Sequence, residues 1–179
     1  MRNKSVLWIT TTAVFIALLI GMQVATAPLG QLVTGSLVNL ILIVAVMTGG
    51  FTSGLTVAFV SPVFAKLLGV GPLWAIIPFI IAGNVVLILA WHFMGKIKLS
   101  NRHIVRFVSL IVAALCKYIV LFVGIVQVAV PLFLNLPEAQ RAVVSKMFSF
   151  PQLLTALIGG ALATAILPVL EKIRPPKQG

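Results

Sequence analysis

Between Val108 and Pro131 the chain carries a single charge, Lys117, in an apolar run long enough to cross a bilayer. A cation at mid-membrane costs about 2.5–3.5 kcal/mol on insertion scales. Lys117 therefore requires an anion, an aqueous cavity, or a route by which its head snorkels to the outer interface. The chain has two acids, Glu138 and Glu171, and neither lies in an apolar segment. If Lys117 has a charged partner, that partner comes from outside the protein. Amides and hydroxyls in or beside other apolar segments could complete such a site: Gln31, Thr34, Ser36, Asn39, Asn84, Gln127, Gln152 and Thr155. Gln152 and Thr155 are three apart and share a helix face. Gln127, ten residues beyond Lys117, does not fall on its stripe. For each amide alone, a bond to a neighbouring helix is the competing reading. The chemistry on offer is binding.

Bond-making chemistry has little support. The chain contains no GxxxxGK[ST] phosphate loop, no HExxH, no cysteine pair with metal spacing and no paired carboxylates, so no catalytic residue, metal or cofactor is assigned. An intramembrane enzyme would need a nucleophile–base pair, and none is evident. No acid lies inside an apolar segment, which disfavours a proton-coupled carrier. His92 and His103 flank a basic stretch at an interface, and Cys116 reads as a small hydrophobe. Hydrophobic residues make up 61% of the chain and charged ones 8%, the composition of an all-α, polytopic membrane protein in one domain, residues 1–179. The net charge of +11 is spread over short loops between apolar segments, so no nucleic-acid partner is implied.

Six segments must position the polar groups: about 5–23, 37–47, 51–68, 73–94, 104–131 and 150–170. A polar bend is expected over Ala25 to Ser36, and a polar connection over Asn135 to Ser149. Ser61-Pro62 should kink the third segment or end it early. Arg2 and Lys4, an apolar run and Ala25-Thr26-Ala27 imitate a secretory signal with its cleavage site. Further apolar segments follow, so the first is read as a retained helix. Six crossings put both termini on one side, with Arg2, Lys4, Lys96, Lys98, Arg102, Arg106, Lys172, Arg174 and Lys177. Lys66, Arg141 and Lys146 remain opposite. That asymmetry sets both termini in the cytoplasm. At about 1.5 Å per residue, Lys117 lies roughly 20 Å into the fifth segment, past the midplane. Asn39, Gln152, Thr155 and Gln127 fall in the same outer half and Asn84 near mid-depth, which favours a shared pocket.

Ala13 and Ala17 form an AxxxA pair in the first segment, and small residues four apart let another helix approach closely. With six segments, a basic N-terminus and a polar bend after helix one, the chain resembles the substrate-binding S component of energy-coupling factor (ECF) vitamin transporters. The likeness runs over nearly the whole chain, including Thr34-Gly35-Ser36-Leu37-Val38-Asn39, Pro62, Gly83-Asn84 and the stretch Phe150 to Gly160. The resemblance implies a subunit of a bacterial plasma membrane that captures a vitamin from outside. It also implies partners: a transmembrane coupling subunit, met by Ala13 and Ala17, and two ATPase subunits. In that family the pocket lies between the loop after helix one and the outer parts of helices four to six, and the S component is thought to topple to release its cargo. A cationic pocket favours a carboxylate, which points to pantothenate, with lipoate and cobalamin as alternatives. The dearth of aromatics argues against a stacked ring such as riboflavin or thiamine. A structural subunit of a membrane complex that binds no ligand is the rival from another class.

Overall fold

Lipid offers backbone amides no hydrogen-bond partner, so an apolar stretch of this length satisfies its own as a helix. The computed structural model describes residues 4–97 and 102–173, and among these there are helices and no strand. Arg2, Lys98, Arg174 and Lys177, counted above for topology, lie outside the described residues, as do the side chains of Arg102, His103 and Glu171.

The elements are α1 (Lys4–Thr26), α2 (Gln31–Val44), α3 (Phe51–Leu67), α4 (Ile77–Met94), α5 (Arg102–Leu121), α6 (Glu138–Met147) and α7 (Phe150–Ile173). A π-helical turn, Ala45–Gly49, continues α2. A longer π-helical stretch, Phe122–Ala129, and the turn Val130–Leu132 continue α5. With these continuations, α1, α2, α4, α5 and α7 are long and apolar enough to cross a membrane. The apolar helix α3 is shorter, so the architecture is an all-α bundle of six apolar helices. At 17 residues α3 is about 25 Å long, just under the hydrocarbon thickness.

The apolar helices close a ring in the order α1, α2, α7, α5, α4, α3 and back to α1, with α2 also touching α3 and α4. Successive helices alternate in direction, so one end of the bundle holds Lys4 and the other holds Gly30. Gly30 separates the short 3-10 turn Ala27–Leu29 from α2 with φ 87°, a backbone conformation that a side chain would strain. Helices α2 and α7 cross in close contact. A Cβ on Gly159 would strike the Ser36 carbonyl and come within 2.7 Å of the Asn39 Cβ. Helix α1 is attached by one face, with only Thr12, Leu19 and Thr26 buried. Thr12 donates to Ser53 at 2.9 Å and Trp8 Nε1 to Thr52 at 3.0 Å, which ties α1 to α3.

Three expectations differ from this architecture. The residues Gln31 to Ser36 are helical rather than part of a bend. Their polarity belongs to one stripe, since Gln31, Thr34, Gly35, Val38 and Asn39 follow the helical spacing and face a common cavity. Pro62 does not end α3, which runs on to Leu67. The connection after α5 contains a helix of its own, α6, with Glu138 in its first turn and Lys146 in its last, both favourable to the helix dipole.

Candidate ligand-binding site

Lys117 is 4% exposed and its ammonium is held by two amide oxygens, Asn39 Oδ1 at 2.6 Å and Asn84 Oδ1 at 2.7 Å. Three helices, α5, α2 and α4, thus meet at one charge. Behind Asn39, its Nδ2 lies 3.4 Å from Thr155 Oγ1, and Thr155 donates to the Gln152 carbonyl at 3.0 Å. Gln152 Nε2 in turn donates to the Met147 carbonyl at 3.2 Å. This network fixes Asn39 so that its oxygen, and not its amide nitrogen, faces the ammonium. An ammonium has three N–H groups. Two are committed, and the third remains for a ligand.

Lys117, Asn39 and Asn84 stand in the wall of a cavity of about 550 Å³ toward the Gly30 end of the bundle. The size falls within the range of small-molecule sites. Lys66, in the last turn of α3, contributes a second cation to the wall. No carboxylate is among the described lining residues, and Phe148 is the one aromatic. The site is thus electropositive, mostly apolar and without a stacking platform. From α6 and the residue after it, Val144, Met147 and Phe148 cover one side.

The cavity brings together Gln31, Thr34, Asn39, Asn84, Lys117 and Gln152 of the residues singled out in the sequence. Thr155 does not line it. That side chain is fully buried one layer behind, orienting Asn39. Ser36 is likewise turned inward, its hydroxyl bonded to the Leu32 carbonyl at 2.6 Å. Thr34 has a local duty too, donating to the Thr26 carbonyl at 2.8 Å and clasping α2 to the end of α1. Gln127 stands apart from the group. It is exposed on the π-helical stretch and is not among the lining residues, in keeping with its offset from the Lys117 stripe. Trp74 is also exposed, and Tyr118 stacks on Phe122 with centroids 5.7 Å apart, so neither supplies an aromatic to the cavity.

Three polar lining residues escaped the sequence reading: Gln23 near the end of α1, and Ser61 and Lys66 on α3. Ser61 was absorbed into the Ser-Pro helix breaker and Lys66 into the topology count. The spacing of Ser61, Pro62, Ala65 and Lys66 on one helix face is the signal that links them. On the outside of the bundle, Ala13 and Ala17 are exposed on the free face of α1 beside Val14, Leu18 and Gly21.

Comparison with curated proteins and with solved structures returned no match. A family model does match: that of the ECF transporter, substrate-specific component, over residues 8–171. With nearly all of its length covered, this chain belongs to that family, as a membrane subunit that binds substrate for transport rather than transforming it.

Proposed function

We propose that the protein captures a small carboxylate vitamin, pantothenate, from outside a bacterial plasma membrane. It hands that cargo on by docking to a transmembrane coupling subunit served by two ATPases. The observation that carries the substrate class is the Lys117 ammonium, buried and, among the described residues, bonded only to the neutral oxygens of Asn39 and Asn84. A carboxylate at the remaining N–H neutralises the cation where low dielectric strengthens the pair, and a charge-assisted bond is about twice as strong as a neutral one. Lys66 adds a second positive potential that draws anions to the cavity. Gln31 and Gln152 line the same cavity and offer polar groups suited to the amide of pantothenate. A cavity of about 550 Å³ takes a molecule of that size whole but only part of a corrinoid such as cobalamin. With Phe148 as its one aromatic, it also suits an unstacked ligand better than a flavin.

The orientation follows from the positive-inside bias: both termini in the cytoplasm and the Gly30 end, with its cavity, outward. The docking face is the exposed side of α1 around Ala13 and Ala17, where small side chains permit close helix approach.

The test is calorimetric titration of the purified protein with pantothenate, beside the Lys117→Met variant. The wild type should bind, and the variant should lose about a hundredfold in affinity or more, since a charge-assisted bond and its ion pair are removed together. An unchanged Kd removes Lys117 from the site and the carboxylate reading with it.

A further inference from the structure

Hydroxyls in this bundle have a regular fate. Those of Thr10, Thr26, Ser36, Thr48, Ser109 and Thr164 each bond back to the carbonyl four residues earlier, the usual way a helix satisfies them in lipid. Ser61 departs from that pattern. It is 1% exposed, and its Oγ bonds no protein group. Among the described residues one other buried side-chain oxygen lacks a protein partner, Gln23 Oε1. Both residues line the same cavity, from the neighbouring helices α3 and α1. They lie on other helices than the Lys117 cluster, which is built on α5, α2 and α4. A buried oxygen without a partner is unfavourable, and a bundle that pairs its other buried hydroxyls, within a helix or across to a neighbour as Thr12 does with Ser53, leaves such atoms where a ligand completes them.

We propose that Ser61 and Gln23 form a second polar subsite, which receives the hydroxyl-bearing end of the ligand whose carboxylate sits at Lys117. This rests on the carboxylate reading above and narrows it. Gln23 Oε1 accepts from a hydroxyl, and Ser61 Oγ both donates and accepts. The ligand class is therefore an acid with hydroxyls at the end remote from its carboxylate, as in pantothenate. A carboxylate with an apolar tail, such as lipoate, would leave both oxygens unpaired.

The full chain in lipid nanodiscs is titrated with pantothenate, with lipoate, and with N-(3,3-dimethylbutanoyl)-β-alanine, which is pantothenate without its two hydroxyls. The wild type should bind pantothenate more tightly than the other two. Ser61→Ala should weaken pantothenate by about tenfold and leave the dehydroxylated analogue unchanged. The melting temperature of the unliganded variant should not fall, because the hydroxyl has no protein bond to lose. Gln23→Leu should repeat this pattern and carries the test if Ser61→Ala fails to fold. Equal losses for pantothenate and its analogue, or no loss for either, overturn the subsite. Wild-type preference for lipoate over pantothenate overturns it as well, while leaving the carboxylate reading in place. Binding of none of the three carboxylates overturns that reading itself.

Discussion

The two halves of the bundle are made from the same helices and have opposite interiors. Toward the Lys4 end, Leu42, Ile43, Leu87, Ile88, Trp91, Ala113 and Leu167 form one buried apolar cluster. Toward the Gly30 end a smaller apolar cluster that includes Leu121, Ile125 and Phe148 flanks a cavity with Lys117 in its wall. The change happens within about one turn on four helices at a common level. Asn39 gives way to Ile41, Asn84 to Leu87, Lys117 to Ala113, and Thr155 to Gly159. Gly159 sits where α2 crosses α7, with no room for a Cβ. The comparison teaches that the floor of the cavity is a packing boundary, set by where small and aliphatic residues begin, and that the buried cation and its amides, Lys117, Asn39, Asn84 and Gln152, lie on the cavity side of it.

The largest effect should come from outside both interiors. Ala13→Trp with Ala17→Trp fills the exposed face of α1 without touching the cavity, so vitamin uptake by cells should be abolished while the Kd of the purified protein stays within about twofold. Uptake that survives the double change breaks the separation of docking from binding. Next, Leu42→Ala and Asn39→Leu should exchange their consequences. Leu42 is fully buried in the packed half. Its truncation should cost about 2–5 kcal/mol of stability, read as a lowered melting temperature, with affinity nearly kept. Asn39→Leu removes an acceptor that orients the ammonium, so affinity should fall by about a hundredfold while the apolar cluster keeps the fold together. Asn84→Ala is a milder version, expected at about tenfold, because Asn39 still holds the ammonium.

How much of this was legible in the sequence depends on which physical constraint spoke. The six apolar helices were readable because lipid leaves an apolar run of such length no other way to satisfy its backbone. The gathering of Lys117, Asn39, Asn84 and Gln152 was readable from depth alone, since rise per residue is fixed. Azimuth was harder. Thr34 and Ser36 looked like a bend because a polar run in an apolar chain resembles a loop, yet they belong to a helix whose polar stripe faces a cavity. Ser61 was hidden for a related reason: beside Pro62 it reads as backbone punctuation, and only the packing of α3 against its neighbours brings it into the cavity wall. Helix α6 was missed because it is polar. Its sign is the sequence Pro137-Glu138 at one end and Lys146 at the other, a capping pattern rather than a hydropathy pattern.

Gln127 offers the smallest effect and the sharpest check on where the cavity stops. By depth it belongs with Lys117, but by azimuth it does not, and the π-helical stretch from Phe122 to Ala129 leaves its side chain exposed. An exposed amide at this level of the bundle has no ligand to hold, and leucine there loses nothing but the amide's hydration. Gln127→Leu should therefore leave pantothenate affinity within about twofold and the melting temperature nearly unchanged. Gln152→Leu, at a buried lining position bonded to the Met147 carbonyl, should lower affinity several-fold by releasing the turn that carries Met147 and Phe148 into the wall. Should Gln127→Leu instead match or exceed the loss from Gln152→Leu, the ligand reaches past α5 toward lipid, and the packing boundary that divides the two halves would not be what bounds the site.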